Sequence, residues 1–270
     1  HLQERFVYCH QIDMNRCYGL VETVIRNVYN KEDIVFSELD RKFITAFERY
    51  LKETRGLARN TAAKYLECFR KVLKVAQQKG WMEHGKFLEE LGELCVKEET
   101  YPSFLDWDEL RTVMETDMPA GRLERVKDVF VFCALTGLSY QGISTLCPSH
   151  LFRDDEGTLW ICRTRAEGAE VGDSCTSRVP LLKPAMVLLE KYRGWNLMNP
   201  EGPCFPVPSV QKMNEFLKEV AARCRISKRL TTQMARNTFA ATVTLASRIP
   251  KEHVREMLGY SSDYMLRHYM

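Results

Sequence analysis

The segment from residue 60 to residue 79 constrains the fold most, because its apolar residues recur at spacings of three and four. They are Ala62, Tyr65, Leu66, Phe69, Leu73 and Ala76. This periodicity predicts an amphipathic helix with one face in a hydrophobic core. Lys64, Lys71 and Lys74 fall on the other side of the helix.

A shorter helix is expected just before it. Ser37 followed by Asp40 has the form of a capping box, and Gly56 is expected to end this helix. The second helix is expected to start with Asn60 or Thr61 as its cap. The residues that would line the buried face of the first helix are Phe43, Ile44, Phe47, Tyr50 and Leu51.

Charge is unevenly distributed along this part of the chain. Residues 41–80 hold eleven Lys and Arg against three Glu, a balance of +8, whereas residues 81–100 hold six Glu against two Lys. A basic segment of this kind is typical of a surface that binds a polyanion, and Arg59 sits where helix N–H groups already favour a phosphate. The alternative is a solvated lysine face with no binding role.

A second domain is expected to begin near residue 104. Asp106 with Glu109 forms another capping box, and the buried pattern of "RVKDVFVFCALTG" predicts a helix that ends at Gly137. The segments "TLWICRTR" and "TSRVPLL" predict two short strands, and helices are expected again beyond Pro208. The sequence therefore predicts a mainly α fold with a small β hairpin, divided into residues 1–92, a linker at 93–103, and residues 104–270.

Composition excludes several classes of protein. The longest apolar runs are too short to span a bilayer, and the segment that begins at His1 has neither a secretory signal nor an initiator methionine, which indicates a fragment.

The ten cysteines are scattered without a CxxC pair, a pattern that is typical of reduced thiols in the cytoplasm. Cys147 and His150 are too few for a zinc site, so no metal and no cofactor are expected.

Five segments carry a resemblance to a known family. They are "NTAAKYLECFRKVLKVA", "CALTGLSYQGISTL", "CFPVPSVQKMNEFLKEV", "LTTQMARNTFAATVTLA" and "MLGYSSDYMLRHYM". In this order and spacing, residues 36–270 resemble the tyrosine recombinases, and in particular the integrases of phages and conjugative mobile elements. The resemblance implies a helical core-binding (SAM-like) domain linked to a mixed α+β catalytic domain, which together clamp duplex DNA.

The resemblance also implies a nucleophile. The tyrosine nine residues after the family's "LGH" histidine position is Tyr269, whose hydroxyl would attack a DNA phosphate and form a 3'-phosphotyrosine link. Such a transesterification conserves bond energy, so it needs neither ATP nor a metal, only cations around the phosphate and an acid for the leaving oxygen.

At the other catalytic positions the sequence departs from the family. The first arginine is replaced by Ser139, the hairpin lysine by Arg165, and the histidine of the HxxR motif by Gln233. Arg236 is unchanged, and Tyr260 stands at the later histidine or tryptophan position. Neither Gln233 nor Tyr260 titrates near neutral pH, so the site is predicted to bind a phosphate but to protonate a leaving group poorly.

Three hypotheses for the function remain. The chain is a working recombinase with a depleted catalytic set, a degenerate relative that binds DNA without cutting it, or an unrelated helical DNA-binding regulator. The expected partner is double-stranded DNA, with a tetramer on DNA, a monomer in free solution and no membrane. The residues predicted to contact DNA are Arg59, Asn60, Thr61, Lys64, Lys71, Lys74, Arg163 and Arg178.

The end of the chain leads to a further expectation. Family members usually continue past the nucleophile into a tail that packs on a neighbouring protomer, whereas Tyr269 is followed here only by Met270. Because a short terminal helix tends to fray, Tyr269 is predicted to be mobile or withdrawn from Arg236 and Arg165 when DNA is absent.

Overall fold

The chain divides into two compact units, residues 1–99 and residues 100–270. The computed structural model describes residues 2–82, 87–164, 176–260 and 262–269. Within these ranges the protein is mainly helical, with one small antiparallel sheet in the second unit. The predicted fold class is therefore confirmed. None of the helices in these ranges is long and apolar enough to cross a membrane.

The first unit is a small helical domain. Its core is aromatic, with the Phe43 and Phe69 ring centroids 5.8 Å apart and both side chains buried together with Phe47. Its longest helix was not expected from the sequence. The helices are α1 (Leu2–Tyr29), α2 (Arg41–Arg49), which continues as a π turn over Tyr50–Thr54, α3 (Arg59–Gln78) and α4 (Phe87–Leu94).

Two of the expected helix caps are wrong. Helix α2 starts after Asp40, not Ser37: the Asp40 carboxylate accepts the Phe43 N–H at 3.0 Å, while residues 36–38 form a separate 3₁₀ turn. Helix α3 already begins at Arg59, and the residue before it makes no side-chain cap. Asn60 cannot serve as a cap, because its amide pairs with the backbone of Glu98.

The second unit is built around a buried helix, α6. Side chains on every face of α6 are buried, including Phe130, Phe132 and Cys133, because neighbouring helices surround it. The capping box of Asp106 and Glu109 starts the unit's first helix as predicted. The helices are α5 (Trp107–Glu115), α6 (Arg122–Thr136), α7 (Tyr140–Ser144), α8 (Lys183–Lys191), α9 (Arg193–Met198), α10 (Val210–Arg223), α11 (Thr232–Thr238) and α12 (Lys251–Leu258).

Irregular turns complete this unit. Helix α11 continues as a π turn over Phe239–Thr244 and a 3₁₀ turn over Leu245–Ser247, and a last 3₁₀ segment covers Asp263–Tyr269. Another 3₁₀ turn, Pro148–His150, leads into the sheet. The last 3₁₀ segment packs against α12 and the π turn.

The sheet has three antiparallel strands in the order of the sequence. They are β1 (Leu151–Arg153), β2 (Leu159–Thr164) and β3 (Thr176–Pro180). The two strands predicted from the sequence are β2 and β3, which pair with Cys162 opposite Arg178; β1 is an additional edge strand. Ile161 and Val179 face the core, so Cys162 and Arg178 lie on the opposite face.

Candidate active site

Helix α11 positions Arg236. Thr231 caps the helix by accepting the Met234 N–H on its hydroxyl at 3.1 Å, and Met234 and Ala235 are buried in the core. Arg236 follows directly, half-buried at the edge of this packed face. The apolar neighbours therefore fix the backbone of the helix and leave the guanidinium at its boundary with solvent.

The Arg236 guanidinium binds the ends of two other helices. It donates through Nη1 to the Gly137 carbonyl at the end of α6, and through Nη2 to the Leu258 carbonyl at the end of α12, at 2.5 Å. Gly137 and Gly259 adopt left-handed conformations, with φ of 70° and 64°, which end these helices and turn the chain away. Arg236 thus joins three helices that are far apart in the sequence.

Tyr260 completes the surroundings of Arg236. The guanidinium lies 4.9 Å from the centroid of the Tyr260 ring, and its Nε donates to the Tyr260 hydroxyl at 3.4 Å. An arginine has five N–H donors. Three of them are used by these hydrogen bonds, and the other two have no partner within the described residues, so they can bind an anion.

The terminal 3₁₀ segment brings Tyr269 to the same place. Leu266 is fully buried in the core, and the carboxylate of Asp263 lies 3.6 Å from Lys251 and 3.7 Å from Arg255 of α12. The Tyr269 hydroxyl donates to Asn237 Oδ1 at 2.8 Å. Tyr269 is therefore docked on the residue next to Arg236 and not withdrawn from it, because Leu266 is fully buried and Asp263 adds two charged contacts that the sequence did not reveal.

The environment of Tyr269 keeps its hydroxyl protonated. Burial, together with the adjacent Tyr260 hydroxyl, raises the pKa of Tyr269 to about 12, although the nearby Arg236 acts in the opposite direction. Since the ordinary value is near 10, the phenol is neutral at physiological pH. Any reaction at this oxygen needs a group that takes up its proton as the new bond forms.

Asn237 is a member of the site that the sequence reasoning missed. Its side chain is buried; Nδ2 donates to the Ser103 carbonyl at 3.1 Å, and Oδ1 accepts Gln233 Nε2 at 3.1 Å as well as the Tyr269 hydroxyl. One signal was present in the sequence, since Asn237 is an amide in a helix whose neighbours Ala235, Thr238 and Phe239 are all core residues.

Comparisons with known proteins identify the fold. Residues 11–91 match the family model of the phage integrase SAM-like domain. The structure of the Tn1549 transposon integrase in complex with transposon right end DNA aligns with a TM-score of 0.69 at 12% identity, over 92% of this chain and 86% of that one. This chain has the tyrosine recombinase fold. A search of curated proteins finds no match.

Two further tyrosine recombinases agree with this identification. The XerH recombinase bound to difH substrate aligns with a TM-score of 0.68 at 15% identity, over 94% of this chain and 76% of that one. A lambda integrase dimer bound to a COC' core site aligns with a TM-score of 0.64 at 14% identity, over 92% of this chain and 86% of that one. The resemblance inferred from the sequence is thereby confirmed.

The substituted positions of this tyrosine recombinase fold have local roles. Ser139 caps α7, accepting the Gly142 N–H on its hydroxyl at 3.1 Å. Gln233 is exposed but tied to Asn237. Arg165 lies outside the described residues. The structure thus places Gln233 and Tyr269 on Asn237, and Tyr260 on the neighbouring Arg236.

The two arginines of the sheet differ in their surroundings. Arg163 is half-buried and donates to the Gly142 carbonyl and to Thr145 Oγ1, the latter at 2.7 Å, so it fastens β2 to α7. Arg178 is exposed on the opposite face of the sheet. Of the two, Arg178 is the better placed to meet a ligand from solvent.

In the first unit, the predicted DNA contacts lie on the exposed side of α3. Lys64, Lys71 and Lys74 follow one stripe of the helix, and Thr61 is exposed near its start. Arg59 pairs with the Glu98 carboxylate at 2.6 Å, and this pair is itself exposed. We call Lys64, Lys71 and Lys74 the α3 stripe. The stripe forms a basic surface on α3, and at the start of the same helix Arg59 is already paired with the Glu98 carboxylate.

The Cys147 and His150 pair has a structural role. His150 Nδ1 accepts the Cys147 backbone N–H at 3.0 Å, and burial together with Arg163 lowers the pKa of the imidazole. Among the described residues, no cluster of three His, Cys, Asp or Glu side chains could hold a metal. The described part of the chain thus offers no observation in favour of a metal site.

Proposed function

We propose that the chain is a site-specific DNA recombinase of the integrase type, which cleaves and rejoins duplex DNA through Tyr269. The observation that carries this proposal is the docking of the Tyr269 hydroxyl on the residue next to Arg236, although 32 residues separate Tyr269 from Asn237 along the chain. A nucleophile beside a half-buried guanidinium with two remaining donors is the arrangement that attack on a phosphate requires.

The proposed reaction is a transesterification. The Tyr269 oxygen attacks the scissile phosphorus, a 3'-phosphotyrosine bond forms, and the bond from phosphorus to the 5' oxygen breaks. The tyrosine proton is released and the 5' oxygen takes up a proton, so the step is balanced without metal or ATP. Arg236 stabilises the charge that develops on the phosphate, and Tyr260 holds the guanidinium in place.

The α3 stripe supplies the proposed contact with the DNA backbone. Its side chains are exposed and positively charged, which suits phosphate contacts without sequence preference. The similar structures of Tn1549 integrase, XerH and lambda integrase are each bound to DNA. We assign Arg59, Asn60, Thr61, Lys64, Lys71, Lys74, Arg163 and Arg178 to this interface, with residues 1–92 as the core-binding domain, residues 104–270 as the catalytic domain and assembly into a tetramer on DNA.

A suicide substrate tests the proposal. A pool of nicked duplexes with randomised sequence and a phosphorothiolate at the cleavage position traps any covalent intermediate, because the sulfur leaving group cannot religate. We expect a protein–DNA adduct on a denaturing gel, with the linkage mapped to Tyr269 by mass spectrometry. Tyr269→Phe should abolish the adduct, and Arg236→Ala should reduce it far more than Ser139→Ala, since Ser139 acts as a helix cap.

A second candidate function is DNA binding without cleavage. It is favoured by the substituted positions, because Ser139 carries no charge and neither Gln233 nor Tyr260 is an efficient proton donor near neutral pH. The same experiment distinguishes the two functions. A phosphorothiolate leaving group needs no general acid, so an adduct with phosphorothiolate DNA but not with ordinary DNA would show that only the acid is missing. Binding with no adduct on either DNA would favour the second function.

A further inference from the structure

The Asn237 amide has one orientation in this site. Its Nδ2 donates to the backbone carbonyl of Ser103 at 3.1 Å, and a carbonyl can only accept. The amide oxygen must therefore point the other way, toward Gln233 and Tyr269. Because this contact is with a backbone carbonyl, replacing the side chain of residue 103 would not remove it. The contact therefore fixes which atom of the Asn237 amide faces Tyr269.

The Asn237 oxygen is fully used in the structure. It accepts Gln233 Nε2 at 3.1 Å and the Tyr269 hydroxyl at 2.8 Å, which together occupy both lone pairs of an amide oxygen. Asn237 is buried, so water has little access to replace either donor. The shorter of the two bonds is the one made by the nucleophile.

The direction of this bond determines how the phenol is presented. Because Tyr269 donates its proton to Asn237, the lone pairs of its oxygen are directed away from Asn237. Tyr260 and the charge of Arg236 both act electrostatically on that oxygen. Arg236 is also the group with two donors left for an anion. The lone pairs that would attack phosphorus and the cation that would hold the phosphate are thus in one small region.

We propose that Asn237 is a positioning residue for Tyr269: its amide oxygen docks the nucleophile against α11 in the absence of DNA and orients the hydroxyl for attack on a phosphate held by Arg236. The proposal has two parts. The kinetic part, that Asn237 orients the hydroxyl for attack on a phosphate, rests on the proposed function. The docking part, that Asn237 holds Tyr269 against α11, concerns the protein without DNA and does not.

The docking part is tested by nitration of Tyr269 with tetranitromethane in the full chain, followed by peptide mass spectrometry. Loss of one hydrogen bond corresponds to about a three- to tenfold change in an equilibrium. Asn237→Ala should therefore nitrate at Tyr269 about three- to tenfold faster than the unsubstituted protein. Asn237→Asp keeps an acceptor oxygen and should restore slow nitration, whereas Asn237→Leu fills the same space without an acceptor and should nitrate as fast as Asn237→Ala.

Gln233→Ala is the matched control, since it removes the other donor to the same oxygen and leaves the Tyr269 bond in place. It should nitrate like the unsubstituted protein. Nitration of the buried Tyr192, followed in the same digests, reports general loosening of the second unit. Equal rates at Tyr269 for the unsubstituted protein and Asn237→Ala, or equally fast nitration of Asn237→Asp and Asn237→Ala, would overturn the proposal.

Hydrogen exchange provides a test that leaves α11 untouched, should Asn237→Ala fail to fold. Tyr269→Phe removes only the hydroxyl. The backbone amides of residues 266–269 should then exchange about three- to tenfold faster, the change that loss of one hydrogen bond implies. Unchanged exchange would show that the bond does not hold the segment.

The kinetic part is read on the suicide substrate. Asn237→Ala should form the adduct about three- to tenfold more slowly while its affinity for DNA stays the same, again the change expected for one hydrogen bond. An unchanged rate of adduct formation would overturn this part. If the unsubstituted protein forms no adduct, the proposed function fails, but nitration and exchange still decide whether Asn237 docks Tyr269.

Discussion

The guanidinium of Arg236 lies 4.9 Å from the ring centroid of Tyr260 and also donates to its hydroxyl. Tyr260 therefore holds the cation by two separable interactions, one through the ring and one through the oxygen. The ring contact is worth roughly 0.5–2 kcal/mol depending on exposure, whereas a hydrogen bond at 3.4 Å is long and weak.

These two interactions predict different effects for two substitutions. Tyr260→Phe keeps the ring and should slow adduct formation by less than about threefold, while Tyr260→Ala removes both contacts and should slow it by about tenfold or more. Single-turnover rates on the suicide substrate provide the measurement. Equal losses in both variants would mean that the hydroxyl, and not the ring, is the important group.

Gly137 is expected to tolerate no side chain. It has a φ of +70°, and a Cβ there would come within 2.5 Å of Phe239 Cδ1 and 3.0 Å of Leu258 Cδ2. Gly137→Ala should lower the free energy of unfolding by more than the roughly 1–3 kcal/mol expected of backbone strain alone, and should displace the carbonyl that Arg236 binds.

Gly157→Ala is the control, because Gly157 also has a positive φ but nothing lies within 4 Å of the position that an added Cβ would take. The free energy of unfolding of both variants, measured by urea denaturation, separates the steric clash at residue 137 from the backbone strain that both positions share. Similar losses of stability would contradict the close packing of Gly137 against Phe239.

The raised pKa of Tyr269 predicts a pH dependence. Burial penalises the phenolate, so the folded state favours the neutral phenol, and the stabilisation is complete below the unfolded pKa near 10 and is lost as pH rises toward about 12. The difference in phenolate absorbance between the unsubstituted protein and Tyr269→Phe should stay flat through about pH 10 and increase above it. A midpoint at about 10 would show that Tyr269 is not buried.

The α3 stripe predicts a salt-dependent affinity for duplex DNA. The plot of log K against log salt should lose about 0.9 units of slope for each phosphate contact removed. Replacing Lys64, Lys71 and Lys74 together by Ala should therefore flatten the slope by up to about 2.7. Fluorescence anisotropy across a salt series measures this, with Lys52→Ala as control because Lys52 lies in the π turn after α2, outside the stripe. An unchanged slope would exclude the stripe from the interface.

The pair of Arg59 and Glu98 predicts a gain in affinity. Glu98→Gln removes the carboxylate that binds Arg59 while the backbone bonds of Glu98 to Asn60 remain. Because exposed ion pairs contribute at most about 1 kcal/mol, affinity for DNA at low salt should rise by no more than about fivefold. Glu99→Gln changes the net charge equally and is the control; equal effects would show that only net charge matters.

The sequence determined the parts of the protein that depend on local pattern. The apolar spacing of α3 placed its buried and exposed faces correctly, because a period of about 3.6 residues leaves few alternatives. The capping box at Asp106 and the left-handed end of α6 at Gly137 were likewise predictable, since each depends on one or two residues and their own backbone. The order of the family's motifs singled out Arg236, Tyr260 and Tyr269.

Only the tertiary structure decided how those residues meet. Asn237 takes its role from Ser103, 134 residues earlier, and from Tyr269, 32 residues later, and no local pattern encodes such partners. Arg236 is placed by the carbonyls of Gly137 and Leu258, which are backbone atoms without a signature in the side chains. Tyr269 is docked because Leu266 enters a core assembled from other helices. Local periodicity fixes the faces of helices, whereas hydrogen-bond partners depend on which helix ends the packed core brings together.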